Sequence, residues 1–168
     1  MTRGGIVLAL ILVLVTPALV GPGAPAATAA TPATTESFAA VDYVNAGALW
    51  AVGTPGAACL STNGGVSWSR RPLGNNDWVT GLEFLTRKRG WVISVANEGE
   101  PGRIWFTQDA GRHWTQQANP TSTDVFTGIA FAGTHTGVIV GRYGTILRTA
   151  TGGATWTKVP SGTTAGLS

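Results

Sequence analysis

Two histidines, one cysteine, two tyrosines and eight carboxylates are the groups with which this 168-residue chain could do acid–base, nucleophilic or metal chemistry. His113 and His135 share no metal-ligand spacing with each other or with Cys59, so no zinc site is expected and both read as exposed loop residues. Cys59 has no partner for a disulfide and lies in the apolar run Ala57-Ala58-Cys59-Leu60, which predicts a small buried hydrophobe. A glycosidase needs two carboxylates about 5–10 Å apart. Asp42, Asp77, Glu83, Glu98, Glu100 and Asp124 are available, but no motif singles out a pair. No enzymatic centre, metal or cofactor is expected from these residues.

One spacing does recur. Ser61-Thr62-Asn63-Gly64-Gly65-Val66-Ser67-Trp68 returns as Thr107-Gln108-Asp109-Ala110-Gly111-Arg112-His113-Trp114, and again as Thr149-Ala150-Thr151-Gly152-Gly153-Ala154-Thr155-Trp156. A side-chain oxygen at the first position and another at the third can accept backbone N–H bonds within a turn. The fifth-position glycine permits positive φ, and the tryptophan is expected to pack across the base of its loop. Asn63, Asp109 and Thr151 share one position, and only Asp109 is a carboxylate. A catalytic role cannot be common to all three copies, so the octamer reads as a clamp.

The elements that carry the octamer repeat with it. Upstream of each copy lie alternating apolar triplets (Val41-Asp42-Tyr43, Leu82-Glu83-Phe84, Ile129-Ala130-Phe131), then a glycine turn and an apolar run. Another turn leads to the strand that enters the octamer. Four short strands in a unit of about 40–45 residues make a β-propeller blade. The expected fold is all-β, with four-stranded antiparallel blades over Phe38–Arg71, Trp78–Gln117 and Val125–Pro160. Propellers usually close with about 4–8 blades, so three imply an incomplete ring. Self-association, completion by another polypeptide and truncation of a longer product all remain open as explanations.

Outside the repeat, Arg3 followed by the apolar run Ile6–Val15 and then small residues reads as a signal peptide over residues 1–30. The run is short of the ~20 residues of a membrane span. Cleavage near Ala29 would make the protein secreted or extracytoplasmic. Residues 31–37 read as a disordered linker, 38–160 as the blade domain and 161–168 as a flexible tail. Without Arg3 there are ten basic and eight acidic residues, a net +2. No basic run resembles a nucleic-acid arm, so nucleic acid is not expected as a partner. Arg87-Lys88-Arg89 reads as a solvated turn.

The octamer resembles the Asp-box, or BNR repeat, of sialidases and related propellers. Val140-Gly141-Arg142-Tyr143-Gly144-Thr145-Ile146 running on to Gly153 and Trp156 is closer to the repeat of the photosystem II stability/assembly factor family. That resemblance implies a propeller acting as a non-enzymatic assembly factor with a membrane-protein client. It covers about residues 38–160. Blade two departs most, with Ser94-Val95-Ala96 and a longer loop over Asn97–Gly102. The expected function is protein binding, with an envelope or membrane protein, or a second copy, as partner. A sialidase-like carbohydrate-active or carbohydrate-binding module is the alternative. The face formed by the loops between second and third strands and by the blade-joining segments carries the binding candidates Arg71, Arg103, Arg142 and Tyr143. Arg142 and Tyr143 are preferred, because Arg and Tyr are enriched at recognition hot spots.

Overall fold

A computed structural model describes residues 36–121 and 123–163. The signal peptide, most of the linker and residues 164–168 of the tail lie outside the described residues. Twelve strands form three four-stranded antiparallel sheets, each meandering in chain order. The first sheet holds β1 (Ser37–Asn45), β2 (Ala48–Thr54), β3 (Ala57–Ser61) and β4 (Ser69–Arg70). The second holds β5 (Trp78–Phe84), β6 (Gly90–Val95), β7 (Gly102–Thr107) and β8 (Thr115–Gln117). The third holds β9 (Phe126–Ala132), β10 (Thr136–Gly141), β11 (Ile146–Thr149) and β12 (Thr157–Val159), with one 3₁₀ turn at Arg142–Gly144. The sheets match the three expected blades to within a residue or two at each end.

Two residues assigned to the linker belong to the fold instead. Ser37 opens β1 opposite Thr54, and the Glu36 carboxylate is ion-paired with Arg70 on the outer strand. The start of the tail is also placed: Ser161 Oγ donates to the Thr163 carbonyl at 2.8 Å. A Cβ on Gly144 would fall within 1.9 Å of that carbonyl, so residues 161–163 lie against the Arg142–Gly144 turn.

The core is two layers, one between each pair of neighbouring blades. Trp50, Val52, Leu60, Phe84 and Val92 are buried between blades one and two. Trp91, Ile93, Ile104, Phe126, Ile139 and Leu147 are buried between blades two and three. A blade covered on both faces should read as a continuous apolar run, one covered on a single face as an alternation. β6 is buried at all six positions, whereas β10 alternates buried with half-buried. Val138 and Val140 of β10 therefore face away from blade two.

Candidate functional site

Each octamer closes on itself as its spacing predicts. Gly65 N–H donates to Ser61 Oγ at 2.8 Å, Gly111 N–H to Thr107 Oγ1 at 2.9 Å and Gly153 N–H to Thr149 Oγ1 at 3.0 Å. The third-position oxygen accepts the backbone N–H four residues on, from Ser67, His113 or Thr155, at 2.9–3.0 Å. Amide oxygen, carboxylate and hydroxyl do the same work. Positive φ occurs at Gly65, Gly111 and Gly153, and also one residue earlier, where Ala110 adopts φ 62°. In the second copy His113 Nδ1 also lies 2.5 Å from Asp109 Oδ2. Hydrogen bonds from His113, first from its backbone and then from its ring, draw the Asp109 pKa down to about 2.

The tryptophans do more than cover their own loops. Trp114 Nε1 donates to the Arg71 carbonyl of blade one at 3.0 Å, and Trp156 Nε1 to Gln117 Oε1 of blade two at 3.0 Å. Trp50 stacks on Phe84 (4.1 Å, 10°), with Trp114 edge-on to both. Trp91 stacks on Phe131 (4.0 Å, 17°), with Trp156 edge-on to Phe131. One three-ring joint thus recurs between successive blades. Arg89, read from sequence as part of a solvated turn, is half-buried at the second joint. Its guanidinium lies over Trp91 and Phe106, at 5.3 and 5.7 Å, and donates to the Gly152 carbonyl at 3.3 Å. Arg87 and Lys88 are exposed, as expected of a turn.

Two of the four binding candidates are used inside the fold. Arg103 is ion-paired at 2.8 Å with buried Asp77. Asp77 also accepts from Ser94 Oγ at 2.7 Å, and Ser94 accepts from Trp105 Nε1 at 2.9 Å. Arg71 is half-buried beside Gly111 and supplies the carbonyl that anchors Trp114. Of the carboxylates considered for glycosidase chemistry, Asp42 accepts the Phe84 N–H at 2.7 Å, and Asp124 is paired with Lys158 at 2.9 Å. Burial pushes the Asp124 pKa up, but the Lys158 ammonium and further hydrogen bonds hold it below the usual range. Cys59 is buried with a raised pKa, chiefly by burial, which keeps it a thiol. No cluster of three metal-ligating side chains exists among the described residues.

Arg142 and Tyr143 are placed differently. Arg142 N–H donates to the Val125 carbonyl at 3.0 Å, which anchors the turn while the exposed side chain stays clear of it. Tyr143 takes a left-handed conformation (φ 57°, ψ 33°) and is 66% exposed. Strained backbone of this kind clusters at binding sites. Arg142 lines a cleft of about 270 Å³ with Trp78, Thr80, Val95, Glu98, Gly99 and Val125. Asp77 and Ser94 of the network with Arg103 are the chain neighbours of two cleft residues, Trp78 and Val95. Sequence reasoning missed Trp78, an aromatic 51% exposed on a strand.

No protein-family model matches the sequence, and no curated protein matches it. Solved structures do. YCF48 bound to D1 peptide aligns with TM-score 0.63 at 22% identity, over 75% of this chain and 40% of that one. YCF48 from Cyanidioschyzon merolae gives 0.60 at 22%, over 73% and 39%. The GH74 xyloglucanase from Xanthomonas campestris gives 0.56 at 13%, over 73% and 21%. The fold is a partial β-propeller. This chain spans about two fifths of the length of the YCF48 structures and about one fifth of the xyloglucanase.

Proposed function

We propose that this propeller is an exported, non-catalytic binding or assembly protein that captures a protein segment in the cleft between Trp78 and Arg142. The observation that carries the reading is the contrast among its arginines. Arg71, Arg89 and Arg103 are engaged within the fold; among the described residues Arg87, Arg142 and Arg148 make no side-chain hydrogen bond or ion pair, and of these Arg142 lines the cleft. A free guanidinium on a rigid turn can form a bidentate contact with a partner carboxylate. Exposed Trp78 in the cleft, and exposed Tyr143 next to Arg142 in the turn, supply apolar area with few rotors to freeze. The YCF48 structure bound to D1 peptide supports a protein segment as occupant, and an assembly role of the photosystem II factor type is the finer form of this reading.

The test is capture from an envelope extract, with the mature protein as bait. Arg142→Ala should reduce capture at least tenfold and Tyr143→Ala less, both at unchanged melting temperature. Equal capture by Arg142→Ala would remove the cleft from consideration. An exposed tryptophan beside a free carboxylate, Glu98, also suits a sugar ring, and the xyloglucanase shares the fold. Glycan-array binding abolished by Trp78→Ala would favour that second reading. Export is checked separately, by N-terminal sequencing of the recovered protein, which should begin near residue 30.

A further inference from the structure

The loop that sets blade two apart in sequence is also the loop that lines the cleft. In blades one and two the turn between second and third strands is fastened to the segment leading into the next blade. Gly56 N–H donates to the Asp77 carbonyl at 2.7 Å, and Gly102 N–H to the Asp124 carbonyl at 2.8 Å. In blade one that turn is Thr54-Pro55-Gly56 and carries no charge. In blade two it is the longer loop over residues 96–101, with Glu98 and Glu100 both exposed. Glu100 N–H donates to the Asn97 carbonyl at 3.1 Å and Gly99 takes φ 87°, so Glu98 sits in a closed turn. The turn of blade three that carries Arg142 is closed in the same way, by Thr145 N–H on the Arg142 carbonyl at 3.2 Å.

Glu98 and Arg142 thus line one cleft of about 270 Å³ from its two blades. Among the described residues neither side chain is ion-paired, with the other or with any third group. The rest of the lining is mainly apolar, with Trp78, Val95 and Val125. Two unpaired charges of opposite sign in one small cleft select by sign. An all-acidic segment gains Arg142 and meets Glu98 as a like charge, and an all-basic segment meets the reverse. A segment carrying one of each satisfies both, and like-charge juxtaposition rejects the others. The volume lies at the low end for ligand sites, so the cleft admits a few side chains and not a folded surface.

We propose that Glu98 makes the cleft selective for dipolar segments. The occupant is a short peptide segment with an acidic side chain for Arg142, a basic side chain for Glu98 and an apolar one against Trp78. This rests on the reading of the cleft as a peptide site, and adds that capture requires a cation on the ligand.

The test is selection from a random heptapeptide display library on the immobilised protein, with Asp/Glu and Lys/Arg frequencies counted among the recovered peptides. Wild type should enrich peptides that carry both signs over peptides that carry either alone. Glu98→Gln should lose the Lys/Arg enrichment and keep that for Asp/Glu, and Arg142→Gln should do the reverse. A selected peptide whose basic residue is changed to Glu should bind wild type about tenfold more weakly, and Glu98→Lys should restore its binding. Both positions are exposed, so each variant should keep the wild-type melting temperature. Selection of acidic peptides without basic residues, or Lys/Arg enrichment that survives Glu98→Gln, would overturn the role of Glu98 and leave capture at Arg142 standing. No enrichment of charged peptides by wild type, or selection indifferent to Arg142→Gln, would overturn the peptide reading of the cleft and this inference with it.

Discussion

Trp156 and Trp68 occupy the same position of the same octamer, yet one is 7% exposed and the other 41%. Their loops hold the same hydrogen bonds, so the turn does not make the difference. The difference is a neighbour. Trp156 has the Trp91 and Phe131 rings of a joint in front of it, and its N–H reaches Gln117 of blade two. Trp68 has no ring stacked near it among the described residues, and its N–H donates to the Gly65 carbonyl of its own loop. The motif thus has two separable parts: a hairpin clamp complete within eight residues, and an indole that is buried where a neighbouring blade packs on it.

The largest expected effect breaks a filled joint. Trp91 is fully buried, and Trp91→Ala should cost about 3–5 kcal/mol in urea unfolding. Its N–H is buried without an acceptor, so the ring area does the stabilising. Trp91→Phe removes that orphan donor and should be far milder, about 1–2 kcal/mol. A Phe variant as damaged as the Ala variant would mean that the indole N–H has a partner in solution.

Next comes the motif comparison itself. Trp156→Ala should cost about 3 kcal/mol, whereas Trp68→Ala should stay within about 1 kcal/mol, as for an exposed site. Equal losses would show that the tryptophan acts through its own loop, contrary to the joint geometry.

Arg103 and Arg142 form a second pair that looks alike in sequence and differs in space. Arg103→Ala leaves the Asp77 carboxylate buried without its cation and should cost about 2 kcal/mol. Arg142→Ala should leave the melting temperature unchanged. A destabilised Arg142→Ala with an unaffected Arg103→Ala would reverse their assignments.

What was legible in the chain was whatever repeats locally. Alternation, turn glycines and the octamer placed all three sheets, because strands and hairpins are determined within a few residues. The preferred anchor, Arg142-Tyr143, was visible as a short turn between glycines, and the structure leaves both side chains exposed. Joints were not legible, since their members come from different blades: Trp50, Phe84 and Trp114 are far apart along the chain. Arg89 looked like one charge among three because Phe106 and the Gly152 carbonyl that hold it lie far along the chain, although Trp91 is only two residues on. One signal was present and overlooked. Glu36–Arg70 and Asp124–Lys158 are each 34 residues apart, an acid before the first strand paired with a base on the outermost. In blade two the acid is Asp77, and its cation sits instead on β7, 26 residues on.

The smallest effect separates the octamers from one another. Only the second has a titratable group at its third position. Asn63 and Thr151 accept the same backbone bond without a charge. The folded-state pKa of Asp109 lies near 2, below the 3.8 of an unstructured aspartate. A depressed carboxylate contributes stability that is fully present above the unfolded pKa and lost as pH falls through the folded one. Between about pH 4 and pH 2, wild type should therefore lose an increment of melting temperature that Asp109→Asn does not. At neutral pH the two should melt within a few degrees of each other, since Asn63 shows that an amide oxygen fills the role in blade one. Every other carboxylate is common to both proteins, so the comparison isolates the octamer. Parallel melting curves across that range would mean that the Asp109 charge adds nothing in solution, and the second clamp would then need only a neutral acceptor at its third position, as Asn63 is in the first and Thr151 in the third.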